Sequence, residues 1–322
     1  MKVLVIGLGS MGKRRIRLMK ELYPSIEVFG TDGKADRREE TQELFGIRCF
    51  SSIDSVDESI ECAFICTSPL SHSGIITECL ERGWNVFTEL NLVDDGYDKN
   101  LSLAREKGLT LFLSSTFFYR EETRFIRSKI TADKQWNYIY HIGQYLPDWH
   151  PWENYKDFFI GDKRTNGCRE IMAIELPWLT GAFGEIKKVQ SVSNKMTNLA
   201  INFDDNYFIL IEHENGNRGV LIVDVVSPVA VRKLDAYAEN AYLTWGGTPE
   251  SVFEFDQETG TLNNVVLTEE AEHKEGYRAF IVENAYKNEI MEFFDVVQNG
   301  KKPLYGFEQD KKILQIIDSM GA

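Results

Sequence analysis

Apolar residues open the chain as a short unbroken run. After Lys2 come Val3, Leu4, Val5 and Ile6, the pattern of a strand covered on both faces. Comparable runs recur at residues 26–30, 62–66, 85–88 and 110–113. Between them the apolar positions take a helical period: through residue 22, over 35–45, over 75–82 with Gly83 as a stop, and over 95–107. Strands alternating with helices at this spacing predict βαβ units and a parallel sheet.

The rhythm changes near Tyr119. One more helix is predicted to residue 130, then an extended strand over 136–146. Residues 147–160 are aromatic, contain proline and show no period. A helix is predicted over 165–183, with Pro177 expected to bend or interrupt it. Strand-like runs at 207–213, 218–226 and 232–238, joined by turn signals such as Asp204-Asp205-Asn206, predict a mostly antiparallel sheet. Helices over 277–298 and 308–320 complete the pattern. The expectation is an α/β protein of two domains, residues 1–118 and 119–322, with the last helix packing back on the first domain.

Composition narrows the partners. At 322 residues the chain exceeds a usual single core, and 43% hydrophobic residues can fill two. A net charge of −14 argues against nucleic acid and anionic membranes as partners. No apolar stretch is long enough to span a bilayer, and Met1-Lys2 leads directly into a strand rather than a secretory signal. The five cysteines form no C-x-x-C pair, which predicts reduced thiols and a cytoplasmic protein. Nothing in the spacing of His, Cys and Glu suggests a metal site.

Gly7-Leu8-Gly9-Ser10-Met11-Gly12 fits G-x-G-x-x-G directly after a strand and at the start of a helix, the context a dinucleotide-binding Rossmann domain requires. Gly7 permits the tight turn, Gly9 lets backbone approach a pyrophosphate, and Gly12 lets helix pack on strand. Ser10, Met11 and Lys13 belong to the same turn, whose free N–H groups suit an anion. Lys13, Arg14 and Arg15 put three cations in a first turn, which opposes the helix dipole unless an anion is close. Asp32 lies 20 residues past Gly12. Its carboxylate can accept hydrogen bonds from ribose hydroxyls and would repel a 2′-phosphate, which favours NAD over NADP. Lys34, Arg37 and Arg38 follow closely and could hold a phosphate.

Further on, Cys66-Thr67-Ser68-Pro69-Leu70-Ser71-His72, Gly83-Trp84-Asn85-Val86-Phe87-Thr88-Glu89 and the Gly300-Lys301-Lys302-Pro303 entry into the last helix follow in a telling order. With the glycine loop, they resemble the Gfo/Idh/MocA oxidoreductases. The resemblance implies a Rossmann domain followed by an α/β domain with an open, mostly antiparallel sheet that often serves as an oligomer interface. It implies NAD(P)-dependent oxidation or reduction of a sugar-like alcohol or ketone, and a homodimer or homotetramer. Residues 144–159 look like a branch encoded with surface-polysaccharide or nucleotide-sugar genes. By position, Thr67, Ser68 and His72 would line the cofactor's ribose and nicotinamide side, and Glu89 would lie beside the nicotinamide ribose.

The departures bear on the chemistry. The family's E-K-P is here Glu89-Leu90-Asn91, and its helical D-x-x-x-H-x-x-D falls on Glu170, Ile174 and Pro177. The usual lysine and histidine are gone, yet oxidising a sugar carbon requires something to take the hydroxyl proton. His150, Tyr119 and Glu170 are the candidates, each with a plain packing or ion-pair reading beside the catalytic one. Trp152 and Tyr155 could stack on sugar C–H groups, and Lys163 and Arg164 could meet a carboxylate or phosphate. A chain that binds dinucleotide and glycan precursor without turnover is the alternative.

Overall fold

A computed structural model describes residues 1–149, 154–267 and 282–322. The chain divides into two compact units, residues 1–116 with 286–311, and residues 117–285 with 312–322.

In the first unit, β1 (Lys2–Ile6), β2 (Glu27–Thr31), β3 (Cys49–Phe50), β4 (Cys62–Ile65), β5 (Asn85–Thr88) and β6 (Leu111–Leu113) form one parallel sheet in the order β3-β2-β1-β4-β5-β6. This is the doubly wound order, whose switch point lies between β1 and β4. Val3, Leu4, Cys62, Ala63 and Phe64 are wholly buried, as strands covered on both faces must be. Helices α1 (Ser10–Leu22), α2 (Ala35–Phe45), α3 (His72–Glu81) and α4 (Tyr97–Lys107) make the crossovers. The two-residue β3 is too short to leave a periodic trace. Helix α3 starts before residue 75 because a 3-10 turn, Pro69–Ser71, runs straight into it.

The expected 119–322 block is not one body. Residues 286–311 belong with the Rossmann unit, and aromatic packing supplies the reason. Phe293 of α7 (Glu283–Asn299) sets its ring edge-on to Phe64, Phe87 and Phe112 at 5.1, 5.6 and 5.7 Å. Beside it, Arg15 is fully buried, with Glu89 and Glu289 each 2.6 Å away. Asp310, at the start of α8 (Phe307–Ser319), accepts from the phenols of Tyr97 and Tyr305.

The second unit contains α5 (Glu121–Lys129), β7 (Asn137–Gly143), α6 (Gly167–Phe183), β8 (Ile186–Asn194), β9 (Asn206–His213), β10 (Arg218–Asp224), β11 (Val231–Ala238), β12 (Ala241–Trp245), β13 (Val252–Asp256) and β14 (Thr261–Asn264). The strands form an eight-stranded sheet ordered β14-β13-β12-β11-β7-β10-β9-β8, antiparallel except between β7 and β10. Tyr140, Trp178 and Trp245 pack together where α6 meets the sheet. Pro177 does not interrupt α6, which is assigned as one element. Burial of Leu176, Trp178 and Leu179 around it outweighs the one missing backbone hydrogen bond. Strand β14 escaped the sequence pattern because it is exposed and polar, and β13 because its apolar alternation spans only five residues at the half-exposed end of the sheet. The described parts of the aperiodic stretch after β7 contain the 3-10 turns Leu146–Asp148, Tyr155–Asp157 and Phe159–Gly161. Of the helix expected from residue 277, residues 277–281 lie outside the described ones.

Replacing Arg15 with Met would leave the Glu89 and Glu289 carboxylates facing each other without a cation. The expected cost is ~3–5 kcal/mol in denaturant unfolding, partly recovered in Arg15→Met/Glu289→Gln. An unchanged midpoint in the single variant would show that the buried pair contributes nothing.

Candidate functional site

The turn between β1 and α1 is built by steric exclusion. Gly7 sits at φ +93°, and a Cβ there would lie 2.8 Å from the Cys66 carbonyl oxygen. A Cβ on Gly12 would lie 2.0 Å from the Gly7 carbonyl oxygen, so only glycine lets the helix approach this closely. Gly9 differs. A Cβ there would meet nothing nearer than the Arg37 guanidinium at 3.8 Å. The space in front of Gly9 is therefore open, at the N-terminus of a 13-residue helix whose first N–H groups point outward. That is a cradle for a diphosphate, and the residues present fit NAD.

Asp32 closes the other side. Its carboxylate accepts from the Leu8 and Lys34 amides, both at 2.9 Å, which holds it beside the glycine turn with lone pairs to spare for ribose hydroxyls. Arg38 donates to the Asp32 and Gly33 carbonyls at 2.7 and 3.0 Å, so that guanidinium is fixed to backbone. Arg37, 3.6 Å from the Asp32 carboxylate, lies over the same corner.

The three cations of the first turn do not face the phosphate cradle, contrary to expectation. Lys13 pairs with Glu40 at 2.5 Å, Arg14 lies over the Tyr286 ring at 4.6 Å, and Arg15 is locked between Glu89 and Glu289. Consecutive helical side chains radiate about 100° apart, so three neighbours cannot share one ligand. Lys13 is thus paired with α2, and the backbone amides at the start of α1 are the donors directed at the open space before Gly9. Ser10 is exposed and Met11 half-buried at the mouth of the turn.

Two residues expected beside the nicotinamide have other work. The Glu89 carboxylate is held by Arg15 through Nε at 2.6 Å and Nη2 at 3.1 Å. His72, only 2% exposed, lies with Nε2 3.0 Å from the Thr67 carbonyl oxygen and Nδ1 2.6 Å from Asn91 Oδ1. Both ring nitrogens face oxygens that accept, and burial holds the ring's pKa down. His72 therefore fastens the Thr67 loop to Asn91 rather than presenting itself to a ligand. Asn91 replaces the family's proline and had no signal of its own in the sequence. Thr67 hydrogen-bonds Ser71 at 2.8 Å, and Ser68 is exposed at the start of the 3-10 turn.

In the second unit, His150 and Trp152 lie outside the described residues. Tyr119 is buried at 4% exposure. The Tyr155 phenol accepts from the Ala200 amide at 3.2 Å, which ties one loop to another. Lys163 and Arg164 are exposed on a 3-10 turn before α6. Glu170 occupies the first turn of α6, whose N-terminal amide is capped by Asn166. Loss of solvent around it pushes its carboxyl up to about 7, against the helix dipole, which favours the charged form. It stands half-buried, while Glu175 on the same helix is fully buried and accepts from Tyr140 and Trp178, each at 2.7 Å, with Arg232 at 2.7 Å. Leu90 and Ile174 are half-buried and carry no group that titrates.

Comparison with known proteins agrees with this geometry. Residues 1–114 match the Gfo/Idh/MocA oxidoreductase family profile, described as an NAD-binding Rossmann fold. Human biliverdin reductase A is 28% identical over 133 residues, 40% of this chain and 45% of the human protein, so the match spans less than half of that relative. Among solved structures, UDP-N-acetylglucosamine 3-dehydrogenase GnnA from Acidithiobacillus ferrooxidans aligns at 14% identity with a TM-score of 0.77, over 99% of this chain and 96% of its own. Levoglucosan dehydrogenase, in complex with NADH and levoglucosan, aligns at 14% identity with a TM-score of 0.80 over the same shares. At such identities these neighbours establish the fold of both units and not the substrate. Residues 1–114 are thus similar to the Gfo/Idh/MocA oxidoreductases and carry an NAD-binding Rossmann fold.

Proposed function

We propose that this protein is an NAD-dependent oxidoreductase acting on a sugar or nucleotide-sugar alcohol or ketone, with Glu170 as its proton carrier. When bound, NAD supplies the hydride acceptor or, reduced, the donor. The Gly7–Gly12 turn holds the diphosphate by backbone amides, and Asp32 accepts from the ribose. Glu170 takes the proton from the substrate hydroxyl in oxidation and returns it in reduction. This reading is carried by a half-buried carboxyl on the first turn of α6, pushed up to about 7 by loss of solvent, at the position where the resemblance leads one to expect an acid. The sugar class is supported by the neighbours, a nucleotide-sugar and an anhydrosugar dehydrogenase. Exposed Lys163 and Arg164 would meet an anionic substituent, and Tyr155 a sugar face.

A second reading, binding of dinucleotide and glycan precursor without turnover, is favoured by Leu90 and Ile174 in the usual lysine and histidine positions. Incubation with NAD and a panel of sugar and nucleotide-sugar alcohols separates the two. Saturable binding with no change in nicotinamide absorbance supports the second.

We also propose that the protein self-associates through the outer face of its second sheet. In register across the strands lie Val192, Phe208 and Ile222 in one row, and Leu210, Val220 and Ile139 in the next. Phe208, Leu210, Ile139 and Val192 are 51%, 55%, 46% and 74% exposed, an apolar patch on a flat surface that a second copy would cover.

Three outcomes are expected. Gly9→Ala should leave the melting temperature unchanged, since no protein atom is crowded, while weakening NAD binding about tenfold or more in calorimetry. Retained affinity would remove the cradle from the account. Glu170→Gln should lower kcat ~10²–10⁴-fold, and the wild-type oxidation rate should rise with pH through about 7, where the carboxylate forms. Its folded pKa lies above the unfolded value, so the carboxyl's stability contribution is present at low pH and lost as pH rises through about 7. Glu170→Gln should therefore stabilise the protein at pH ~8 relative to pH ~5, on the order of 1–3 kcal/mol. Phe208→Glu/Leu210→Glu should run as a monomer in light scattering where the wild type does not. A monomeric wild type at micromolar concentration would end that part of the proposal.

A further inference from the structure

We propose that the second unit holds another ligand site, for a small organic anion, in the cavity between the end of α5 and the β12–β13 hairpin. The cavity measures about 170 Å³ and is lined by Lys129, Lys134, Trp136, Tyr242, Glu254 and Gln257, among others. A space of ~150 Å³ holds a benzene-sized molecule, so a ligand of six to eight heavy atoms, roughly, fits.

The lining gives the chemistry. The Lys129 ammonium is 2.7 Å from the Glu254 carboxylate, and the Lys134 ammonium donates to the Glu239 carbonyl at 3.2 Å. Each ammonium has three donors, so both keep hydrogen bonds to offer, and two cations face one carboxylate. In the same wall stands Trp136, 3% exposed, whose indole N–H is buried without a hydrogen-bond partner. The Trp136 and Tyr242 rings provide apolar wall. A carboxylate or phosphate on a short carbon skeleton satisfies the excess positive charge, the donors and the rings together.

This site is separate from Glu170. Gly167, at the start of α6, packs against Leu146 beyond the far end of β7, whereas Trp136 precedes its first residue. A seven-residue strand separates the two ends by roughly 20 Å. Nothing in the proposed oxidoreductase chemistry uses Lys129, Lys134 or Trp136.

The full-length protein should be titrated with inorganic phosphate, glycerol 3-phosphate, malate and, as a neutral control, glycerol, following heat and tryptophan emission. At least one anion should saturate, change the emission in wild type but not in Trp136→Phe, and lose about tenfold or more in affinity in Lys134→Met, as loss of a charge-assisted hydrogen bond requires. Binding of glycerol 3-phosphate but not malate assigns a phosphate ester, and the reverse assigns a carboxylate. NAD affinity should be the same in wild type and both variants. No saturation by any of the anions below about 10 mM, or affinity unaltered in Lys134→Met, overturns the proposal.

Discussion

The approach of α1 to the turn that follows β1 is the constraint on which the Rossmann unit depends. Gly12 rests against the Gly7 carbonyl at a distance no Cβ would tolerate. That contact starts the helix at once and leaves its first amides directed at open space before Gly9. It also sets the rotation of α1, and with it the directions taken by Lys13, Arg14 and Arg15. They reach α2, α7 and β5 instead of a common ligand. A single close contact thus shapes the anion cradle and commits the nearby side-chain cations elsewhere. Diphosphate binding falls to backbone, which suits a turn whose side chains are already paired.

Buried charge is distributed unequally in the two units, and the inequality separates structure from chemistry. Arg15 with its two carboxylates, and Glu175 with Tyr140, Trp178 and Arg232, are satisfied on several sides. Networks of that kind specify packing, because losing one member strands the others. Glu170 is different. Its half-buried carboxyl accepts from no group among the described residues, and loss of solvent pushes it up to about 7. One turn and a half of helix separates a structural glutamate from the one proposed as proton carrier.

The shared fold and the local chemistry pull apart here. The chain aligns with two dehydrogenase structures at 14% identity, which shows the fold alone, while the resemblance in the sequence would lead one to expect a lysine and a histidine where Leu90 and Ile174 stand. Asn91 has been absorbed into the fold as the partner of His72. Fold is conserved through apolar burial and glycine geometry, which many sequences satisfy. Catalysis depends on a few titratable atoms, and these are free to change while the scaffold stays.

The sequence by itself determined the parallel sheet, the glycine turn and the antiparallel sheet, because period, turn residues and motif spacing are local properties. Gly7, Gly9, Gly12 and Asp32 were legible for the same reason: a motif of fixed spacing after a strand has one geometry. Only the tertiary structure decided the destinations of side chains. It turned Lys13 to Glu40, fixed Glu89 to Arg15, buried His72 against Asn91 and gave residues 286–311 to the Rossmann unit. It also carried α6 through Pro177 and added the short β3 and the polar β14, where packing and pairing override local preference. Partners hundreds of residues apart in the chain meet through the packing of whole elements, and no window of sequence contains that information.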